Sequence, residues 1–204
     1  AREIAVYFGD EWTINERFSL SYGGRYMLYQ LLGPLTVNQY VPGAPITESN
    51  VIGEETFGSG QVVQTYHGPE FRLSGRYTLD NQSSIKAGFT TMRQNLHLLS
   101  NTSAIAPTDS WKLSDRYLKP QTGGQASVGY YRNMARNTLE FSGEVYHRYM
   151  NNLLDYRSGA DLILNENIEQ DVLNSIGKAY GVELLMKKTS GLLTGSLAYT
   201  YSRS

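Results

Sequence analysis

Few residues in this chain could carry covalent chemistry, and their spacing argues against it. Cysteine is absent from the 204 residues, which removes disulfide scaffolds, thiolate metal sites and cysteine nucleophiles together. The three histidines, His67, His97 and His147, fall in three separate segments, so a Ser/His/Asp or His/Asp arrangement would have to assemble across strands. His147 takes the apolar phase of its segment near a strand rim, and His67 stands at a loop end beside Gly68-Pro69. Neither position suits a general base. Asp155, Asp161, Glu166, Glu169 and Asp171 are the kind of clustered carboxylates that hard cations take. They match no calcium-loop spacing and lack a glycine at the turn position, so a solvated loop is the expectation. Catalysis, a resident metal and a cofactor are therefore not expected.

Binding chemistry is better represented. Tyr40, Phe57, Tyr66, Trp111 and Tyr156 put aromatic area into long connecting segments, where rings can hold sugars, porphyrin-like rings or iron chelates by stacking and apolar contact. The same rings could instead pack the loops onto one another. Arg72, Arg76, Glu140, Glu144 and Arg148 suit a water-filled lumen, with mutual pairing across neighbouring strands as their simplest role. The net charge of -1 gives no electrostatic reason to expect nucleic acid as a partner.

Strands must position these side chains, because alternation with a period of two recurs along the sequence. Phe18, Leu20, Tyr22, Tyr26 and Leu28 oppose Ser19, Ser21, Gly23 and Arg25; Phe71, Leu73, Gly75, Tyr77 and Leu79 oppose Arg72, Ser74, Arg76, Thr78 and Asp80. Further along, Leu139, Phe141, Gly143 and Val145 oppose Glu140, Ser142, Glu144 and Arg148. About eight such segments are expected, forming hairpins over roughly 1–32, 68–100, 124–156 and 178–204. Tight turns lie at Asn15-Glu16, Asp80 to Ser83, Ala135 to Asn137 and Thr189 to Gly191, and the links between hairpins are long. One link offers an alternative, a short helix over Asn165 to Ser175. Leu162 and Leu164 suggest instead a hairpin continuing upward.

No segment reaches the roughly 18 apolar residues of a membrane-spanning helix, so a spanning chain must use a closed barrel. The mean hydropathy is polar at -0.39, yet there are 16 Tyr against 6 Phe and 2 Trp, and Tyr favours boundaries between hydrocarbon and water. Short turns on one side and long loops on the other fit an outer-membrane barrel with periplasmic turns and extracellular loops. Two other architectures fit the alternation: a self-contained eight-stranded outer-membrane barrel for anchoring or adhesion, and a soluble lipocalin-like carrier whose apolar face points inward.

Several runs carry a family resemblance. Asp10-Glu11-Trp12 followed by Leu20-Ser21-Tyr22-Gly23-Gly24-Arg25-Tyr26 resembles the paired strands of TonB-dependent outer-membrane receptors. Gln94 to Ser100, Pro107 to Trp111, Leu118 to Gln121, Ala179 to Leu184 and Tyr199 to Ser204 are similar to later parts of that barrel. The resemblance implies an all-β, antiparallel, up-and-down transmembrane barrel portion within a wide barrel of about 22 strands. It implies a bacterial outer-membrane location and import of a scarce nutrient: an iron chelate, cobalamin or an oligosaccharide. The implied partners are outer-membrane lipid, the nutrient, the parent's plug domain, TonB through that plug, and a surface lipoprotein. Residues 1–204 are expected to form one barrel portion without the plug.

Overall fold

The computed structural model describes residues 1–100, 110–160, 165 and 167–204. Twelve strands are present among them: β1 Arg2–Asn15, β2 Phe18–Leu32, β3 Leu35–Tyr40, β4 Val51–Phe57, β5 Val62–Asp80, β6 Ser83–Gln94, β7 Leu96–Leu99, β8 Ser110–Leu113, β9 Gln121–Met134, β10 Leu139–Tyr156, β11 Val172–Lys188 and β12 Gly195–Arg203. Eight form one sheet in the order β1-β2-β5-β6-β9-β10-β11-β12, and β3-β4 and β7-β8 form two small hairpins. Every pairing is antiparallel between sheet neighbours. The long strands are therefore about eight, as the alternation predicts, and four short strands are added in the loops. Among the described residues β1 and β12 each have one neighbour, so the sheet is an open arc of a barrel.

Register gives the two faces of this arc their chemistry. Ala87, Val128, Val145, Val182 and Tyr201 are successive cross-strand partners, one row above a similar row running through Tyr77, Ile85, Tyr130, Gly143, Leu184 and Tyr199. Val128 and Val145 are each 51% exposed. An apolar face this broad and this open is unsuited to water and suited to lipid. The inward-packed core of a lipocalin-like carrier is not what the structure shows. Ser74, Gly88, Ser127 and Tyr146 make the corresponding row on the opposite, polar face.

Charge marks the height of the apolar band. On β11, the outward phase runs from Lys178 through Tyr180, Val182, Leu184 and Met186 to Lys188. The ten residue-to-residue steps from Lys178 to Lys188 at ~3.3 Å each cover about 33 Å of strand, which a tilt of about 40° reduces to about 25 Å, the height of a barrel's hydrocarbon-facing belt. Asp10 is an acidic residue on this face, opposite Tyr22. The Tyr22 hydroxyl lies 3.4 Å from its Oδ2, and its Oδ1 accepts the Glu11 amide at 2.8 Å.

The buried core lies at the long-loop end. Above Tyr26 the polar row of β2 continues as Met27, Tyr29 and Leu31, all buried. The two hairpins fold over that row, so two of the links between the long strands carry hairpins among their described residues. β5 starts at Val62, and His67 lies inside this strand rather than at a loop end, opposite Leu28. Where a short helix is one alternative, the described residues form one 3-10 turn, Ile168–Gln170, before β11 begins at Val172. Leu162 and Leu164, proposed for a hairpin, lie outside the described residues, as do Asp161, Glu166 and the Pro107-Thr108-Asp109 run. No helix among the described residues is long and apolar enough to cross a membrane.

Candidate functional site

The mouth of the arc is closed over by two apolar clusters that share one residue. Tyr29, Leu31, Val37 and Val63 form one, with Phe57 and Tyr66 packed against it. Leu99, Leu118, Ile168 and Val172 form the other, flanked by Leu154, Tyr156 and Ala160. Tyr117 packs against both. Its hydroxyl donates to the Asn38 carbonyl at 2.5 Å, and its ring meets Tyr40 edge-on with centroids 5.2 Å apart.

A turn at Ser114 to Leu118 holds this residue in place. The Asp115 Oδ1 accepts the amides of Tyr117 and Leu118, each at 2.8 Å, and the Asp115 amide donates to the Leu118 carbonyl. Strand side chains then clamp the turn from below. The Tyr29 hydroxyl donates to the Ser114 carbonyl at 2.9 Å and the Tyr66 hydroxyl to the Asp115 carbonyl at 2.7 Å. On the outside, Arg116 pairs with Glu55 at 3.0 Å, and this contact, ahead of the Gln39 amide, holds the Glu55 carboxyl below its ordinary range.

Four of the five sequence-singled aromatics are built into this cap. Phe57, Tyr66 and Tyr156 flank the clusters, with the Tyr156 hydroxyl accepting the Ser100 amide at 3.1 Å. Tyr40 donates to Glu169 Oε1 at 2.9 Å, and burial pushes its hydroxyl pKa up. Glu169 is thereby committed to a tyrosine, and Asp171 accepts from Asn165. Trp111 differs: it is 64% exposed, on the face of the β7-β8 hairpin that also carries Leu96, Leu98 and Leu113.

Leu96 and Leu113 border a recess of about 380 Å³, whose other walls include Arg2, Glu3, Tyr29, Arg93 and Asn95. Two buried polar atoms beside it, Arg93 Nε and Asn95 Oδ1, have no hydrogen-bond partner among the described residues. Unmet buried groups are costly and rare, and both residues line this recess. Arg93, Asn95 and His97 keep the strand spacing of two, but β6 ends at Gln94 and β7 starts at Leu96, so that spacing did not reveal the recess and the ladder changes there. β5 pairs with β6 only up to Arg72–Thr90; beyond it the Thr91 hydroxyl and the Glu70 carboxylate accept the amides of Phe71 and Arg93.

His97 meets Ser114, with 2.8 Å between Nε2 and Oγ. That is a nucleophile-and-base distance, but His97 is 1% exposed, Ser114 is 0% exposed, and the His97 Nδ1 has no partner among the described residues to orient it. The pair is a packing contact. Burial lowers the imidazole pKa, and nearby Asp115 opposes the shift.

On the polar face, the five singled charges do not pair with each other among the described residues. Arg148 donates twice to Gln125 Oε1, at 3.0 and 2.6 Å, and Glu144 accepts the Tyr131 hydroxyl at 2.9 Å while standing opposite Glu183. Arg76 stands opposite Lys86, Glu140 opposite Lys187, and Arg72 opposite Gly23. The ion pairs of this face are instead Arg25 with Glu3 at 2.9 Å and with Glu70 at 3.7 Å.

Comparison with known proteins places this geometry. The family model described as TonB dependent receptor-like, beta-barrel, matches residues 1–204. No curated protein sequence matches the chain. Solved structures share the fold at low identity. The alcaligin outer-membrane receptor FauA from Bordetella pertussis is 13% identical with a TM-score of 0.55, over 98% of this chain and 30% of its own. The FrpB iron transporter from Neisseria meningitidis is 14% identical with a TM-score of 0.57, over 98% and 25%. The ferric-catecholate import receptor Fiu from K12 E. coli is 14% identical with a TM-score of 0.53, over 98% and 27%. The chain thus spans less than a third of each of these proteins.

Proposed function

The chain belongs to the TonB-dependent receptor β-barrel family, whose barrels sit in the bacterial outer membrane, and from that premise we propose that residues 1–204 form part of a nutrient receptor and supply its capture surface. Import itself belongs to the complete receptor, acting through its plug domain and TonB. The ligand is a scarce nutrient too large for open pores: an iron chelate, cobalamin or an oligosaccharide.

The observation that carries this reading is the apolar strip of exposed Leu96, Trp111 and Leu113 with half-buried Leu98, beside a recess with unmet polar atoms on Arg93 and Asn95. Apolar area with a few convergent polar groups is the common composition of a ligand site. Tyr40, Phe57, Tyr66 and Tyr156 serve it indirectly, by holding the loops in place. Arg72, Arg76, Glu140, Glu144 and Arg148 face the lumen, where the plug is their partner. A surface lipoprotein would dock on the same loops.

The test is a binding screen of the full-length receptor in detergent against iron chelates, cobalamin and oligosaccharides, with iron compounds first because two similar structures handle iron. Trp111→Ala should weaken the ligand found by about tenfold or more, as loss of a central aromatic contact does. Equal affinity of the variant would remove the capture site from this strip. A folded receptor that binds none of the three classes would favour the anchoring role.

A further inference from the structure

We propose that the wall of the arc carries a side port between β5 and β6, bolted by the Arg93 side chain, through which water and small solutes exchange with the space beneath the cap. The port follows from a ladder that stops early. β5 pairs with β2 as far as Val62, and β6 pairs with β9 as far as Gln94, but the register between β5 and β6 ends at Arg72–Thr90. Side chains replace the next two rungs. The Phe71 amide donates to the Thr91 hydroxyl at 2.8 Å, and the Arg93 amide donates to the Glu70 carboxylate at 2.7 Å. Beyond them β5 runs on to Val62 with no strand on this edge among the described residues.

The chain itself enforces the interruption. Alternate residues of a strand turn their backbone groups to the same neighbour, so Pro69 shares with Phe71 the edge toward β6, and proline has no N–H for a ladder. On the same edge the Thr65 carbonyl takes the side-chain amide of its neighbour Gln64 at 3.4 Å. Gly68 leaves a space that the Arg93 guanidinium fills: a Cβ there would stand 2.9 Å from the Arg93 Cζ. One long side chain over a glycine and two hydrogen bonds therefore close the wall here. The bolt is poised rather than fixed, because the buried Arg93 Nε has no partner among the described residues, and a position reached by water would supply one. Thr91 shares a register row with Gly124, Tyr149 and Lys178, the last at the long-loop end of the apolar band, so the port opens at headgroup level and not into hydrocarbon. Inside, Met92 and Arg93 line a recess of about 880 Å³ with Arg25, Glu70 and Arg72. Arg93 also lines the recess beside the capture strip. A ligand settling there displaces water, and with two apolar clusters over the mouth the port is a short way out.

Thiol labelling of the full-length receptor tests the port. Met92, exposed on the inner side, is replaced in Met92→Cys, and the rate of its reaction with sulfonatoethyl methanethiosulfonate, a small charged reagent, is counted against receptor without the new cysteine. Thr91→Val removes one seam hydrogen bond at nearly constant shape, and Gly68→Ala displaces the guanidinium. Each should raise the labelling rate several-fold. Tyr117→Ala, which loosens the cap, should leave it unchanged. Unchanged rates in both seam variants would overturn the port. So would a rise with Tyr117→Ala alone, which would send the reagent through the cap. Heat-dependent gel mobility reports folding, and Thr91→Val decides by itself if Gly68→Ala does not fold. No nutrient enters these measurements, so the port stands or falls apart from the capture strip.

Discussion

Tyr117 is half of a joint: one ring in two clusters, with one hydroxyl on the β3 backbone. Its removal should uncouple the two halves of the cap without touching the sheet. For Tyr117→Ala we expect local opening to become easier by about 2 kcal/mol, less than the 3–5 kcal/mol of a fully buried large aromatic. Hydrogen exchange in β3-β4 should speed up about thirtyfold, with the β9-β10 ladder unchanged. His97 makes a second expectation, in pH. Its folded pKa is depressed by burial, so as pH falls below about 6.5 the opened form takes a proton that the closed form refuses. Cap stability is complete above that value and declines as pH drops toward the lower folded pKa. The charged groups at this turn are Asp115, which opposes the shift and pairs with Lys112 at 3.8 Å, and Arg116, which pairs with Glu55 at 3.0 Å. Exchange of β7-β8 amides, corrected for intrinsic rates, should rise between pH 7.5 and 5.5, and His97→Gln should flatten that rise.

At the scale of elements, the first hairpin depends on one close approach. A Cβ on Gly33 would stand 2.9 Å from the Phe57 carbonyl oxygen and closer still to that of Gly58. Backbone cannot yield as a side-chain tip does, so Gly33→Ala should push β4 away from β3 and loosen the contact of Phe57 with its cluster. Protease cleavage within 41–50 should quicken several-fold, and Gly53→Ala, where only the Gln39 side chain lies near, should not. The long strands were readable in the sequence wherever the two faces meet different media. Phe71 to Asp80 and Leu139 to Val145 alternate because lipid lies on one side and water on the other. Above Tyr26 both sides are covered, by lipid or interface on one and by the folded hairpins on the other. Met27, Tyr29 and Leu31 then break the alternation, and strand ends such as Val62 and Val172 lose their signal. The site suffered the same loss. Tyr40, Phe57, Tyr66 and Tyr156 stood out as aromatic, but the residues that join them, His97, Asp115 and Tyr117, are polar or isolated in sequence and meet only through the clamp from Tyr29 and Tyr66. The one local signal was Asp115 followed by Tyr117 and Leu118, an Asx-type turn.

For the whole molecule, everything depends on which face meets hydrocarbon, and a single charge can decide it. Val145 lies between Val128 and Val182 in the register row, and Val182 is four residues from Lys178 and six from Lys188, close to the middle of the belt. A lysine there has no border within reach of its ammonium. Val145→Lys should therefore cost about 2–4 kcal/mol of folding stability in lipid vesicles, the penalty for a lysine at the bilayer midplane of a barrel. Ser127 is cross-strand from Tyr146, one residue along from Val145, and points to the other face. Ser127→Lys should enter the water-filled side and change stability by about 0.5 kcal/mol or less. Urea titration of the full-length receptor refolded into phosphatidylcholine vesicles measures both, with heat-dependent gel mobility reporting the folded fraction. A soluble barrel with its apolar rows inside would also reject Val145→Lys, but it would reach full stability in buffer alone. A detergent-free and lipid-free folded state for the unmodified receptor would therefore contradict the lipid-facing assignment, whatever the two variants did.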